Sequence, residues 1–186
     1  MIKITGGNLK NQKLKTIDKF VRPTSSIKRE AVFSIIESYS LKNKINIYKN
    51  KIFLDLFSGI GTMGLEAISR GIKKVIFYEN NSFVIEVLRK NCEKFCDKEN
   101  FLIINEDVNI SNIDINFKDI SIIYVDPPYL KYDMNKLLAN LQNKVNKNCV
   151  IAVETSFKDS FIIPNKLKLI KNKKYGKTNI YILVLS

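Results

Sequence analysis

The chain has no histidine. That removes Ser-His and Cys-His nucleophile schemes and every histidine general base. Cysteine is scarce: Cys92, Cys96 and Cys149. Cys92 and Cys96 fall four apart on one helical face, so a metal pair is conceivable. With no histidine and only Cys149 elsewhere, a structural zinc site needs carboxylate help. The sequence therefore predicts buried free thiols and no metal. Long apolar runs are also missing. The longest are strand-length, which excludes a membrane-spanning helix. Met1-Ile-Lys-Ile4 does not lead into a signal-peptide apolar region, so a cytoplasmic location is expected.

Acidic residues are in deficit, with 18 Asp and Glu against 31 Lys and Arg and a net charge of +13. Residues 1–50 carry eleven Lys and Arg against Asp18, Glu30 and Glu37. Residues 158–177 carry seven lysines against Asp159. The excess sits at the two ends of the chain. It fits a lysine-rich solvated surface or, more sharply, a face that binds a polyanion such as nucleic acid. At 186 residues and 45% apolar composition the chain is long enough for one domain with a full core.

What is present centres on Ile52-Phe-Leu-Asp-Leu-Phe-Ser-Gly-Ile-Gly-Thr-Met-Gly-Leu-Glu66. Ile52 to Leu56 reads as a buried parallel strand. Ser58, Gly59 and Gly61 form a turn. Met63, Leu65, Ala67 and Ile68 follow at roughly helical spacing, and Gly71 reads as a C-cap. Strand, glycine turn and helix make the first unit of an open α/β nucleotide-binding sheet. Its glycines allow close backbone approach, and the helix N-terminus offers free N–H groups. Gly59-x-Gly61-x-x-Gly64 with Glu79 downstream also matches a dinucleotide fingerprint, so a nicotinamide enzyme and a methyltransferase both stay open at this point.

In chain order, residues 1–21 read as a basic β-hairpin arm around Gly6-Gly7, carrying Lys3, Lys10 and Lys13. Residues 22–186 read as the catalytic domain. Pro23 keeps Arg22 extended, and Thr24 or Ser25 can cap a helix with an apolar face at Ala31, Phe33, Ile35 and Ile36. Residues 40–51 read as a loop. Strands are expected at 52–56, 74–79, 101–105, 120–125 and 149–153, with helices at 62–70, 82–96 and 133–144. Residues 108–118 read as a loop whose Ile110, Ile113 and Ile115 cover an edge. Residues 167–172 and 179–185 read as a closing antiparallel hairpin. The fold class is α/β, a mostly parallel sheet made mixed by that hairpin. Asp55, Glu79, Asp107, Asp126 and Glu154 recur at strand ends, where such sheets bind ligands. Asp55 stands out, because a buried carboxylate needs solvent or a partner.

Asp126-Pro127-Pro128-Tyr129 moves the balance to methyl transfer. An exocyclic base amine is a poor nucleophile because its lone pair is delocalised into the ring. It must be held, and its N–H groups need acceptors. Asp126 offers a side-chain acceptor. The Pro127 carbonyl offers another, fixed by the two prolines. Tyr129 can stack on the base, a contact worth roughly 1–3 kcal/mol. Positioning and electrostatics then carry the chemistry.

The sequence resembles the RsmD family of 16S ribosomal RNA (guanine-N2) methyltransferases over nearly its whole length. The resemblance rests on Ile4-Thr-Gly-Gly7 with Lys13-Leu14, Arg22-Pro-Thr24 with Arg29-Glu30 and Phe33, and Asp55-Leu-Phe-Ser-Gly-Ile-Gly61 with Gly64-Leu-Glu-Ala67. Val125-Asp-Pro-Pro-Tyr129 and Tyr175-Gly-Lys-Thr178 extend it. It implies a Rossmann-like fold that uses S-adenosyl-L-methionine to methylate a guanine amino group in small-subunit RNA. It places Asp55, Phe57, Ser58, Gly59 and Gly61 around the methionine end of the cofactor, Glu79 on its ribose and Asp107 on its adenine amine. Thr24, Arg22, Lys28 and Arg29 lie near the cofactor or the RNA, with Lys3, Lys10 and Lys13 on the RNA. The implied partner is ribosomal RNA or a pre-assembled particle, met by a monomer. A DNA adenine-N6 methyltransferase would normally need a target-recognition region, for which only the basic arm and loops are spare. A non-catalytic RNA-binding or assembly protein on the same fold would have no use for an intact Asp126 to Tyr129 motif.

Overall fold

The computed structural model describes residues 2–17, 25–108, 113, 115–128 and 131–186. Arg22, Thr24, Ile110 and Tyr129 lie outside the described residues. Seven strands form one sheet: β3 (Ile52–Asp55), β4 (Lys74–Glu79), β5 (Phe101–Asn105), β6 (Ile120–Val125), β7 (Val150–Ser156), β8 (Leu167–Tyr175) and β9 (Thr178–Leu185). The order across it is β5-β4-β3-β6-β7-β9-β8. The first five in that order run parallel, and β9 and β8 close the edge antiparallel. Strand order reverses between β3 and β6. That is the switch point where open sheets bind ligands, at the carboxyl ends of their strands.

The central strands are apolar on both faces because helices or loops cover both. Phe53, Phe77, Ile122 and Tyr124 point into one core with residues of α1 (Ser26–Asn43), α2 (Thr62–Ser69) and α3 (Ser82–Phe95). Leu54, Ile76, Ile123 and Val125 point into the other, with residues of α4 (Met134–Leu141) and the stretch before β6. Alternate residues of each strand thus serve opposite layers. Ile113 is buried in the second core and Ile115 packs against it, so this stretch covers a sheet face. Cys92 and Cys149 are buried and Cys96 half-buried, none in a disulfide, and burial pushes all three thiols up.

The N-terminal arm is stitched to the core. Its strands β1 (Ile2–Lys3) and β2 (Lys13–Leu14) pair antiparallel, and Ile4 and Leu14 enter the same core as Phe33. Glu66, fully buried on α2, accepts the Thr5 N–H at 2.9 Å and both the Thr5 hydroxyl and the Gly6 N–H at 2.8 Å. Gly7 sits at φ +77°, where an added Cβ would fall 1.8 Å from the Ser69 carbonyl oxygen. Only glycine allows that approach. The arm in turn ends α2, with the Asn8 N–H donating to the Ser69 carbonyl at 2.8 Å.

Several expected boundaries move, α4 ending at Leu141 and β8 running on to Tyr175 among them. Ser25 caps α1, which runs on to Asn43 through the first part of the expected loop. β7 continues to Ser156 because β9 pairs with it along its whole length. Glu154 therefore lies inside a strand, not at its end.

Candidate functional site

The cleft opens at the switch point and encloses about 460 Å³. From the segment after β3 it receives Leu56, Phe57 and Gly59, from β4 Tyr78 and Glu79, and from the segment after β5 Asp107 and Val108. From the other side come Asp126, Pro127, Pro128 and Tyr132, with Glu154 of β7 and Lys28 of α1. The parallel register pairs Val125 with Val153. Asp126 and Glu154 each follow that pair by one residue in sequence, and both line the cleft.

Glu79 pins the glycine loop. One oxygen accepts the Gly59 N–H at 3.0 Å, and the other accepts the N–H groups of Asn80 and Asn81 at 3.0 and 2.9 Å. A carboxylate has about four acceptor positions, so about one remains for a ligand hydroxyl. Asn81 caps α3, its side chain accepting from Phe83 and Val84 at 3.0 and 3.3 Å. Asp107 accepts the Tyr132 hydroxyl. The Tyr132 ring meets Phe57 edge-on with centroids 4.7 Å apart, joining the loops after β3 and β6 across the mouth. Burial and the Asp107 carboxylate hold the Tyr132 proton above the ordinary phenol range.

Asp55 lies behind the glycine loop, 1% exposed, and neither oxygen has a hydrogen bond among the described residues. The backbone amides of Gly64 and Phe57 approach it and lower its pKa only in part. Burial dominates, with repulsion from Glu79 added, and pushes its carboxyl to about 7. An orphaned acidic group beneath a glycine loop, two acceptors along one wall, and apolar surfaces at Leu56, Val84 and Val108 together fit S-adenosyl-L-methionine. The acceptors suit its hydroxyls and amines, and the apolar surfaces its flat ring.

Three expected site residues have partners within the protein. Ser58 faces inward, its hydroxyl donating to the carbonyls of Asp55 and Tyr78 at 2.9 and 3.0 Å, so it shapes the turn. Gly61, like Ser58, is not in the cleft lining. It starts α2 at φ +86°, and an added Cβ would meet Leu88 at 2.5 Å. Arg29 is 2% exposed, donating to the Lys3 carbonyl at 2.5 Å and lying 3.6 Å from Glu66, so its guanidinium is not available to RNA. Lys3, Lys10 and Lys13 are exposed on the arm, outside the cleft lining.

Tyr132, Lys131 and the partners of Glu154 were not anticipated. Tyr132 had a signal, a second aromatic close behind the proline pair. Glu154 pairs with the Lys28 ammonium and accepts the Tyr124 hydroxyl at 2.7 Å. Among the described residues no group of three or more Cys, Asp or Glu is placed to hold a metal ion, and no helix is long and apolar enough to cross a membrane.

Comparison with known proteins converges on this geometry. The Buchnera aphidicola ribosomal RNA small subunit methyltransferase D is 31% identical over 191 residues, covering 100% of this chain and 94% of its own. The Haemophilus influenzae protein of the same name is 30% identical, covering 94% and 89%. The solved Escherichia coli protein yhhF shares the fold with a TM-score of 0.82 at 22% identity, covering 100% and 98%. Residues 2–184 match the family described as conserved hypothetical protein 95, and the chain belongs to this family, that of the ribosomal RNA small subunit methyltransferases D.

Proposed function

We propose that the protein transfers a methyl group from S-adenosyl-L-methionine to the exocyclic N2 amine of a guanine in small-subunit ribosomal RNA. One observation carries this reading. A single cleft at the switch point has Gly59, Glu79 and Asp107 on one side and Asp126, Pro127 and Pro128 on the other. The names of its relatives support the RNA class. When bound, S-adenosyl-L-methionine supplies an electrophilic methyl group. Glu79 takes a ribose hydroxyl and Asp107 an amine. Asp126 accepts one N–H of the target amine and the Pro127 carbonyl accepts the other, which turns the lone pair toward the methyl. An aspartate of ordinary pKa near 3.9 is a weak base, so orientation is its main contribution. As the nitrogen gains its new bond it becomes acidic, and its proton leaves toward the acceptor already in place. The protein works as a cytoplasmic monomer on RNA or on a partly assembled particle.

The test is methylation of purified small-subunit RNA and particles, with nucleoside mapping by mass. N2-methylguanosine is expected. N6-methyladenosine, or no product on either substrate, overturns the reading. In single-turnover assays Asp126→Ala should lose at least ~100-fold in rate with little change in cofactor affinity, as for loss of one preorganised polar group. Asp126→Asn keeps an acceptor and should retain more. Full activity in Asp126→Ala removes the motif from the chemistry.

A further inference from the structure

Beyond the cofactor half, the cleft continues into a second compartment of about 360 Å³, lined by Asp133, Asn135, Thr155, Lys158 and Ser160. Both compartments are walled by Pro127, Pro128, Tyr132 and Glu154. A methyl group crossing from one ligand to the other passes this shared wall, so the target base comes to rest against it. Glu154 is the carboxylate of that wall. It is 2% exposed and clamped between the Lys28 ammonium and the Tyr124 hydroxyl. The clamp follows from the sheet. Tyr124 is level with Ala152, so period-2 alternation turns Tyr124 and Glu154 to the same face, the one α1 covers. Next to Glu154, Thr155 is 3% exposed and its hydroxyl has no hydrogen-bond partner among the described residues. A buried polar atom left unpaired beside an open compartment points to a polar ligand.

We propose that the Glu154–Lys28 pair reads the edge of the target base and selects guanine over adenine-like purines. This rests on the function proposed above. Along the guanine edge, the N2 amine is followed by N1–H, a donor, and O6, an acceptor. Asp126 and Pro127 take the amine. The Glu154 carboxylate, in the lining of the same cleft, accepts N1–H, and the Lys28 ammonium donates to O6, a pairing that lysine makes with guanine elsewhere. A purine with an unprotonated N1 turns a lone pair toward the carboxylate. A flipped base is read through such edge contacts, and a site built to bond a group strongly rejects the analogue lacking it.

The experiment uses a short RNA carrying the mapped guanine, and the same RNA with 2,6-diaminopurine or 2-aminopurine at that position. Both analogues keep the N2 amine and lose N1–H and O6. The wild-type protein should favour guanine in kcat/KM by at least ~100-fold. Glu154→Gln, whose amide can donate to an unprotonated N1, should narrow that ratio to within ~10-fold. Lys28→Met should slow guanine and spare 2-aminopurine, which has no O6 to bond. A ratio unchanged in both variants, with all substrates slowed alike, overturns the inference and leaves the pair a structural clamp. If the wild type does not methylate the guanine RNA at all, the underlying function falls and the inference falls with it.

Discussion

Lys28 and Arg29 are adjacent on α1, and each pairs with a buried glutamate, yet the two pairs do different work. Arg29 faces Glu66, where the carboxylate also takes Arg70 at 3.1 Å and two backbone amides of the arm. Everything around it belongs to the protein. Lys28 faces Glu154, where the remaining side is cleft. One helical step of about 100° separates an anchor from a candidate reading head. Residue type does not distinguish them. The difference lies in whether the protein alone fills the space around the ions or leaves part of it to a ligand.

The comparison breaks most sharply at Glu66. Glu66→Gln keeps the shape and removes the charge, stranding Arg29 inside the protein and part of Arg70. Breaking a buried ion pair this way costs roughly 3–5 kcal/mol. For a chain of this size the melting temperature should fall by about 10 °C. Glu154→Gln should cost less than half as much, because its amide still bonds Tyr124 and faces the open cleft. Thermal unfolding of both variants in one buffer measures this. Equal losses would make the two pairs alike, both of them anchors.

The same contrast explains what could be read from the sequence. The positions of the strands, the closing hairpin and the convergence of Gly59, Glu79, Asp107 and Asp126 are legible, because glycine turns and apolar runs are local signals. How Ser58 and Gly61 sit in their loop is not legible. A glycine motif marks where the backbone turns, and which residue faces the ligand depends on what packs behind it, here Leu88 and Phe77. The resemblance implies a place for Arg29 near the cofactor or the RNA, while its pairing with Glu66, 37 residues on, leaves no local signal. The docking of the arm is not legible because it uses backbone groups, such as the Thr5 and Gly6 amides, that leave no mark in composition.

Asp55 is a third buried carboxylate, and it sharpens the comparison because it has no cation. Its carboxyl titrates at about 7 in the folded chain against an ordinary value of 3.8. Below the ordinary value both states are protonated and the group contributes nothing. As pH rises from there to about 7, the unfolded chain releases the proton and the folded chain keeps it, so folding loses stability, fully so above 7. Asp55→Asn removes that loss. Its melting temperature relative to wild type should rise between pH 5 and pH 8, by an amount on the order of a few kcal/mol in stability at the upper end. A difference constant with pH would mean that the carboxylate is solvated or partnered, and that Asp55 belongs with Glu66 and Glu154.

The smallest effect on the folded protein is expected where cations are not paired inside it. Lys3, Lys10 and Lys13 are exposed, while the arm is held by backbone amides and by Ile4 and Leu14. Charge and anchorage are therefore separable. Deleting the arm would remove both, and would also break the bonds that tie Lys15 through Asn91 to the Ile60 carbonyl in the glycine loop. Replacing the three lysines by glutamine removes charge alone. Melting temperature and cofactor affinity should stay within error. RNA affinity should fall and its log–log salt slope should flatten by up to ~2, since each phosphate contact contributes roughly 0.7–0.9. An unchanged slope would make the arm a fastening for α2 with an incidental positive surface. A flattened slope at constant stability would show that one short hairpin serves the fold through its backbone and the RNA through its side chains.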